Sequence, residues 1–569
     1  MNSVKKRFCA CSLAFAIISS TFLGCSNPSK SSKASTTASA SSEKANPFKK
    51  FDKPVTIHIG QQAYPTQKFP SGDTNENNVF TRYLKDNFNI NVVVDWSAAT
   101  GDAYNQKVNL CIASNKVPDG MQCDRNAMLS AAKSDELYDF TNIFPQYASP
   151  QIKSILNADN GLAYQYAKYN GKQLCMVGVD VEPSGQSMLN IRKDWLDKYG
   201  LQVPKTLDEI EQVAKVFKEK KPAGTDTVPI AGPDKNSTCY TNFLQSGVMG
   251  CGFEPVYAAY DAYPGYWYKD NSDQVVYGSN TANSKKALSR LAKWYSEGLI
   301  DPEMGVRDSS TELVNSGKVG MYFCAWWMVG YGTTDAYKND PNANWQTYAV
   351  KTDDGKWNTR MQCPVASYVV CSKNISDEVA QAAIIMNNVW VRDENKLTNM
   401  STTSIYWYPL RNSMGALDEC SVTYNALQKV LNGQATVKNY NKPDSAYKLL
   451  YSDATDVTKD VKNYKKGEDL SISNFNTADA SFARLYSILI GSRPSSTLTP
   501  NKKIYSLVYS QTPTMQTKWA NLNTLETENT LKIITGKENV NTFDSYVKQW
   551  NTEGGKEITS EVEKEAGDK

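Results

Sequence analysis

The sequence predicts an α/β protein built on parallel sheets, and three observations carry that expectation. Between residues 54 and 124, strand-like runs alternate with helical ones in the order strand, helix, strand, helix, strand. Further on, apolar residues recur at three- and four-residue spacing, as in Leu207, Ile210, Val213, Ala214 and Phe217. At 569 residues the chain is also long enough to build more than one such lobe.

The elements follow in order. Residues 54–60 alternate in polarity and read as a first strand, which holds the only histidine, His58, as a sheet residue. A polar loop leads to a helix over 79–87, with Val79, Tyr83 and Leu84 on one side. "NINVVVDW" (89–96) is a second strand, 103–114 a second helix and "VPDGMQCD" (117–124) a third strand. Ligands of parallel sheets bind beyond the carboxyl ends of the strands, here residues 60–64 and 123–125. Thr206 and Glu209 make a capping box before the helix that carries the 207–217 stripe. A second amphipathic helix covers 284–298, with Leu288, Leu291, Ala292 and Tyr295 on its face. "ASYVVCS" (366–372) is a strand, and Ser376 caps the next helix, with Asp377 and Glu378 favourable in its first turn. The stretch "GYWYKDNSDQVVYG" reads as a hairpin with Trp267 as a packing residue.

The N-terminus reads as an address. Lys5, Lys6 and Arg7 precede an apolar run over 8–24 that is short for a membrane span and suits a signal peptide. It ends in "TFLGCSNPSK", which resembles a bacterial lipobox with Phe22 where Leu is usual. Cys25 is then the lipidation residue, because a thiolate is the nucleophile that takes the lipid. Residues 25–46, rich in Ser, Ala, Lys and Thr, hold almost nothing to bury and read as a disordered tether.

Composition excludes several classes. The net charge of +3 equals the three basic residues of the signal, so the remaining chain is neutral. That argues against nucleic acid as a partner and against electrostatic membrane binding. Nine cysteines follow Cys25, scattered without a C-x-x-C pair or a zinc spacing, and one at least must be unpaired. Phosphate loops and H-E-x-x-H are absent, and a histidine-dependent nucleophile would rest on His58 alone. A glycosidase using two distant carboxylates stays open. The 33 tyrosines and 12 tryptophans suit stacking on polar ligands as well as packing. "MYFCAWWMVGYG" (321–332) sharpens that choice: if the strand continues, Trp326 and Trp327 point to opposite faces, one to the core and one to a cleft.

Six blocks in this order, with the lipobox, resemble a bacterial extracellular solute-binding protein of family 1, of the LipO-like type found in Gram-positive bacteria. They are "IRKDWLDKYGLQVPKTLDEI", "YSEGLIDPEM", "SGKVGMYFCAWW", "SYVVCSKNISDEVAQAA", "TPTMQTKWANL" and "LKIITGKENVNTFDSYVKQW", and they span nearly the whole chain after the tether. The resemblance implies a two-lobe periplasmic-binding-protein-like (type II) clam shell with a hinge. By that pattern 47–188 plus 361–398 form lobe 1, and 189–360 plus 399–569 form lobe 2. It implies a monomeric, non-enzymatic receptor without cofactor, held by Cys25 on the extracellular face of the cell membrane. Such a receptor delivers an oligosaccharide to the permease subunits of an ABC importer; a peptide or another polar solute is the alternative cargo. It implies Asp124 and Arg125 as cleft residues after the third strand, and Gln62 and Tyr64 after the first. Tyr240 and Asn242 come from the second lobe. Trp327, beside Trp326, becomes the ring on which a sugar stacks, with Tyr406 and Trp407 of "YWY" as a second platform. Where relatives carry an acidic, calcium-like loop, this chain has "KEKKPAGTDTVPI", whose two acids sit beside three lysines; no calcium is expected there.

Overall fold

The computed structural model describes residues 45–567 apart from 159, 236, 246, 247, 249, 401 and 443. The signal peptide, Cys25 and the tether as far as residue 44 lie outside the described residues. Two sheets organise the rest. Their strands are β1 (Val55–Ala63), β2 (Ile90–Ala99), β3 (Gly120–Cys123), β4 (Met176–Val179), β5 (Met188–Arg192), β6 (Val228–Ile230), β7 (Val319–Cys324), β8 (Trp345–Tyr348) and β9 (Val365–Val370). The first sheet runs β2-β1-β3-β9-β4 and the second β8-β5-β7-β6.

The expected parallel core is present: β1 pairs in parallel with β2 and with β3. It is joined by α1 (Val79–Phe88) and α2 (Asp102–Ala113). The Asn78 side chain caps α1 by accepting from the Phe80 and Thr81 amides. The buried stripe of α1 is Phe80, Thr81, Leu84 and Phe88, one position round from the expected face. Phe80 takes the core place, and Tyr83 instead keeps its hydroxyl at the rim, donating to Asp393 Oδ2 at 2.9 Å. β9 is antiparallel to both β3 and β4, so the first sheet is mixed.

The geometry of the two sheets fixes how they face. β1, β2 and β3 all end at one edge of the first sheet, and β4 ends at that edge too, at Val179. The chain then crosses to Met188, which starts β5 opposite Cys324, the end of β7. The strand-end edges of the two sheets therefore look at each other across the crossing. Two further crossings lie beside the first, at residues 361–364 and 414–418. Backbone hydrogen bonds tie the three together: Gly415 N to Val179 O (3.0 Å), Glu182 N to Leu417 O (2.8 Å) and Asp180 N to Pro364 O (3.3 Å). This is a three-stranded hinge.

One lobe boundary needs correction. Residues 404–414 lie on the first sheet, not in the second lobe. Gln61 Nε2 donates to Trp407 O (3.1 Å), Gln122 Nε2 to Arg411 O and Asn412 Nδ2 to Met176 O (3.3 Å). Largely buried side-chain amides of the sheet need acceptors, and this returning segment supplies or completes them. Third-pass chain segments of this kind leave no local signal, so the sequence places the crossing too early.

In the second lobe α4 (Leu207–Lys220) starts on the expected Thr206–Glu209 capping box. It is fixed to α5 (Ala282–Ser296) by the buried carboxylate of Glu211, which accepts from Lys215 (2.6 Å), Arg290 (2.9 Å), Trp294 Nε1 (2.9 Å) and Lys293. α6 (Asp377–Asn399) begins on Ser376, as expected, and crosses the first lobe.

Two measurements test this electrostatic frame. Burial raises the Glu211 pKa, but the four donors outweigh it and hold the carboxyl well below the usual glutamate range. E211Q should cost about 2 kcal/mol at neutral pH in denaturant unfolding. A carboxylate with a depressed folded pKa stabilises above its unfolded pKa and loses that contribution as pH falls through the folded value. The gap between wild type and E211Q should therefore narrow as the pH drops below the ordinary glutamate value. His58 is in β1 as expected, its Nδ1 2.8 Å from Asp95 Oδ1. That hydrogen bond, partly opposed by burial, raises the imidazole above 6.5. Because it is the single histidine, one NMR resonance should titrate above that value in the wild type and fall back towards it in D95N.

Candidate functional site

The edges that face each other across the hinge define the site. On the first lobe, Gln62 and Tyr64 lie at and just past the end of β1. The Tyr64 hydroxyl donates to Gln62 Oε1 (2.9 Å), which also accepts from Thr100 (3.0 Å). Tyr64 packs on the 404–414 segment, its ring 5.0 Å from Tyr406 and 5.8 Å from Trp407. "YWY" is a 3₁₀ turn over Ile405–Trp407 rather than a strand. In that turn Trp407 is buried beneath Phe69 (4.4 Å), while Tyr406 is 44% exposed. Arg411 lies over the rings of both Tyr406 and Trp390, 5.0 Å from each centroid. Phe69 and Arg411 escaped the sequence reading.

Asp124 and Arg125 stand at the end of β3 but do not pair with each other. Asp124 is exposed and caps α3 (Arg125–Lys133), its Oδ1 accepting from the Ala127 amide at 2.8 Å. Arg125 stacks on Tyr166 (4.6 Å) and reaches the Tyr368 hydroxyl at 3.4 Å. At this side the lobes touch: Gln511 N donates to Asn126 Oδ1 (2.7 Å), and Tyr166 meets Tyr509 at 6.4 Å.

On the second lobe the two tryptophans lie beyond β7, in a turn, so strand alternation does not set their directions. Trp326 goes inward, 7% exposed, and its indole N–H donates to Ser184 Oγ of the hinge at 3.3 Å. Ser184 Oγ in turn donates to the buried Asp180 Oδ1 at 3.2 Å. Burial is the main cause that pushes the Asp180 carboxyl up. Trp327 stays partly exposed and starts a π-helical turn, Met328–Gly332, which presents the half-exposed Tyr331. π-Turns of this kind recur at binding sites because they re-aim side chains. A second π-turn, Ser487–Gly491, packs against it. Ser487 Oγ donates to Trp327 O (3.1 Å). A β-carbon on Gly491 would lie 1.9 Å from Trp326 O, so only glycine admits this approach.

Two expected residues stand elsewhere. Tyr240 is core: its hydroxyl donates to the buried Glu526 at 2.6 Å, a carboxyl that Tyr277 also contacts at 2.8 Å. A polar-looking stretch hid that burial. Asn242 caps its own turn, accepting from Leu244 N at 3.0 Å. The acids of the 218–226 loop are each taken by a lysine, Glu219 by Lys220 (2.8 Å) and Asp226 by Lys318 (2.9 Å). Among the described residues no cluster of three His, Cys, Asp or Glu side chains is placed to hold a metal. All nine cysteines from Cys111 to Cys420 are buried. A cavity of about 730 Å³, lined by Tyr138, Tyr147, Tyr169 and Asp377, opens at the far edge of the first sheet, away from the facing edges.

Comparison with known proteins gives this arrangement its family. The model of the bacterial extracellular solute-binding proteins matches residues 71–384, more than half of the chain, and the chain belongs to that family. It is 26% identical over 276 residues to the fructooligosaccharide ABC transporter substrate-binding protein FusA of Streptococcus pneumoniae serotype 4, covering 44% of this chain and 47% of that one. It is 26% identical over 225 residues to the polygalacturonan/rhamnogalacturonan-binding protein YtcQ of Bacillus subtilis (38% of this chain, 41% of that one). Over 231 residues it is 27% identical to the lipoprotein LipO of the same species, with the same two coverages. The chain thus spans about half the length of these relatives. The S. pneumoniae FusA structure with kestose shares the fold at a TM-score of 0.56 and 16% identity, covering 90% of this chain and 99% of that one. All three relatives are named as binding proteins or lipoproteins, none as an enzyme.

Substitutions separate the two tryptophans. W326F replaces the buried indole with a smaller ring and removes the N–H that holds Ser184, so it should lower thermal stability. W327A removes a ring that is only partly buried against the second-lobe core, and should lower the melting temperature less than W326A does. G491A should cost about 1–3 kcal/mol by over-packing, read by denaturant unfolding.

Proposed function

We propose that this solute-binding protein captures an oligosaccharide between its two lobes and delivers it to an ABC importer. The observation that carries the reading is the pair of ring surfaces on facing edges, Tyr64 and Tyr406 on the first lobe, Trp327 and Tyr331 on the second. A sugar ring has an apolar C–H face and a rim of hydroxyls. Aromatic rings take the face; Gln62, Asp124 and the arginines take the rim. Two of the relatives are named for binding glycans, which supports the same class of cargo.

No chemistry is required of the site. A ligand that touches both edges favours the closed arrangement by its differential affinity, and the permease reads that arrangement. Anchoring through a lipid on Cys25, with the Ser/Ala/Lys segment as tether, would keep the receptor at the extracellular face of the membrane. One copy of the chain carries both edges, so a monomer suffices. No helix of the described residues is long and apolar enough to cross a membrane.

Calorimetric titration with a panel of oligosaccharides, and oligopeptides beside them, tests the reading. One glycan class should bind stoichiometrically without turnover. W327A and Y406A should each weaken it by about 5- to 150-fold, the equivalent of about 1–3 kcal/mol of stacking by analogy with bases on aromatic rings. Binding of peptides alone would remove the sugar and keep the receptor. Turnover of the glycan would remove the receptor.

A further inference from the structure

We infer that the cargo is an anionic glycan, carrying carboxylates that Arg411 and Arg125 receive. The inference rests on the oligosaccharide reading and narrows it. Among the described residues, every other arginine is paired with a carboxylate: Arg82, Arg192, Arg290, Arg307, Arg360, Arg392, Arg484 and Arg493. Arg125 and Arg411 form no such pair. Both stand on the first-lobe edge that faces the second lobe.

Each is held ready by rings rather than by an acid. Arg411 lies against Trp390 and Tyr406, and its Nε is buried without a hydrogen-bond partner. Arg125 lies on Tyr166, with one contact to a neutral hydroxyl, Tyr368. Ring faces fix the plane of a guanidinium and leave its N–H fork unspent. An unspent fork matches a carboxylate with two parallel hydrogen bonds, whereas a neutral sugar hydroxyl satisfies one at a time. A donor buried without a partner costs free energy in the empty protein, and an incoming anion recovers it.

The opposing charges are few. Asp124 is exposed on the same edge, but its Oδ1 is engaged at the start of α3. Glu182, at the hinge, is paired with Lys503. On the second lobe Glu419 and Asp453 share the single charge of Arg484, so one negative charge remains near Tyr331, on the edge opposite the two arginines. The chain after the signal is neutral overall, so attraction for an anion must come from these two side chains and not from a general field. Arg411 sits beside Tyr64 and Tyr406, where a sugar would stack, so ring and carboxylate of one uronic residue reach their partners together.

The test uses purified protein and two sets of probes. One set is oligomers of galacturonate, mannuronate, guluronate and glucuronoxylan. The other is the carboxyl-reduced form of each, with neutral fructo-, xylo- and malto-oligosaccharides. We expect one uronate oligomer to bind, its carboxyl-reduced form at least about tenfold more weakly, and the affinity to fall with added salt. R411Q should lose at least about tenfold for the uronate while its melting temperature stays within a few degrees. R411K, which keeps the charge but not the fork, should fall between. R125Q should act in the same direction. If a neutral glycan binds as well as any uronate and R411Q binds it unchanged, the inference is wrong and the oligosaccharide reading stands. If neither set binds, both fail.

Discussion

Three chain crossings, bonded to one another through their backbones, set the conditions for everything else in this molecule. Gly415 to Val179, Glu182 to Leu417 and Asp180 to Pro364 make one short ribbon between the sheets. A single crossing would leave the lobes free to swing in any direction. Three adjacent ones restrict the motion to opening and closing of the facing edges. The site exists only because those edges are held opposite each other.

The hinge also reaches into the site. Asp180, buried in the first crossing, accepts from Ser184, and Ser184 accepts from the indole of Trp326. Trp326 therefore belongs to the hinge, while its neighbour Trp327 stays partly exposed. This answers why two tryptophans stand side by side where the strand ends. One is tied to the hinge, and the other opens a π-turn that packs closely on Gly491. In the proposed function, rings on both lobes give a ligand a reason to prefer the closed state, since a solute that touched one lobe alone would shift nothing. The proposed anionic cargo would add the charge of the first-lobe arginines to that preference.

Much of the scaffold was legible in the sequence, because it rests on local rules. The strand–helix alternation from β1 to β3, the Thr206–Glu209 capping box and the Ser376 cap are each encoded within a few residues, and each is where it was expected. What could not be read depends on distant partners. The 404–414 segment carries no mark that it returns to the first sheet, since Gln61 and Gln122 select it from more than 280 positions away. Tyr240 reads as a second-lobe binding residue, yet it is buried and its hydroxyl donates to Glu526, from the far end of the chain. Trp326 and Trp327 differ in burial, but the physical cause is a turn and a hinge contact, not strand alternation. Arg411 gave no signal at all. A lone arginine has no pattern, and its interest appears only when every guanidinium among the described residues except those of Arg411 and Arg125 has found an acid.

The measurement closest to the central claim is a crystal structure of the protein with a bound oligosaccharide. One glycan should lie between the lobes, with a sugar ring against Trp327 and another against Tyr64 or Tyr406, and the hinge bonds of Val179, Glu182 and Pro364 should be intact. A glycan seated instead in the cavity of Tyr138, Tyr147 and Tyr169, with the facing edges empty, would contradict it.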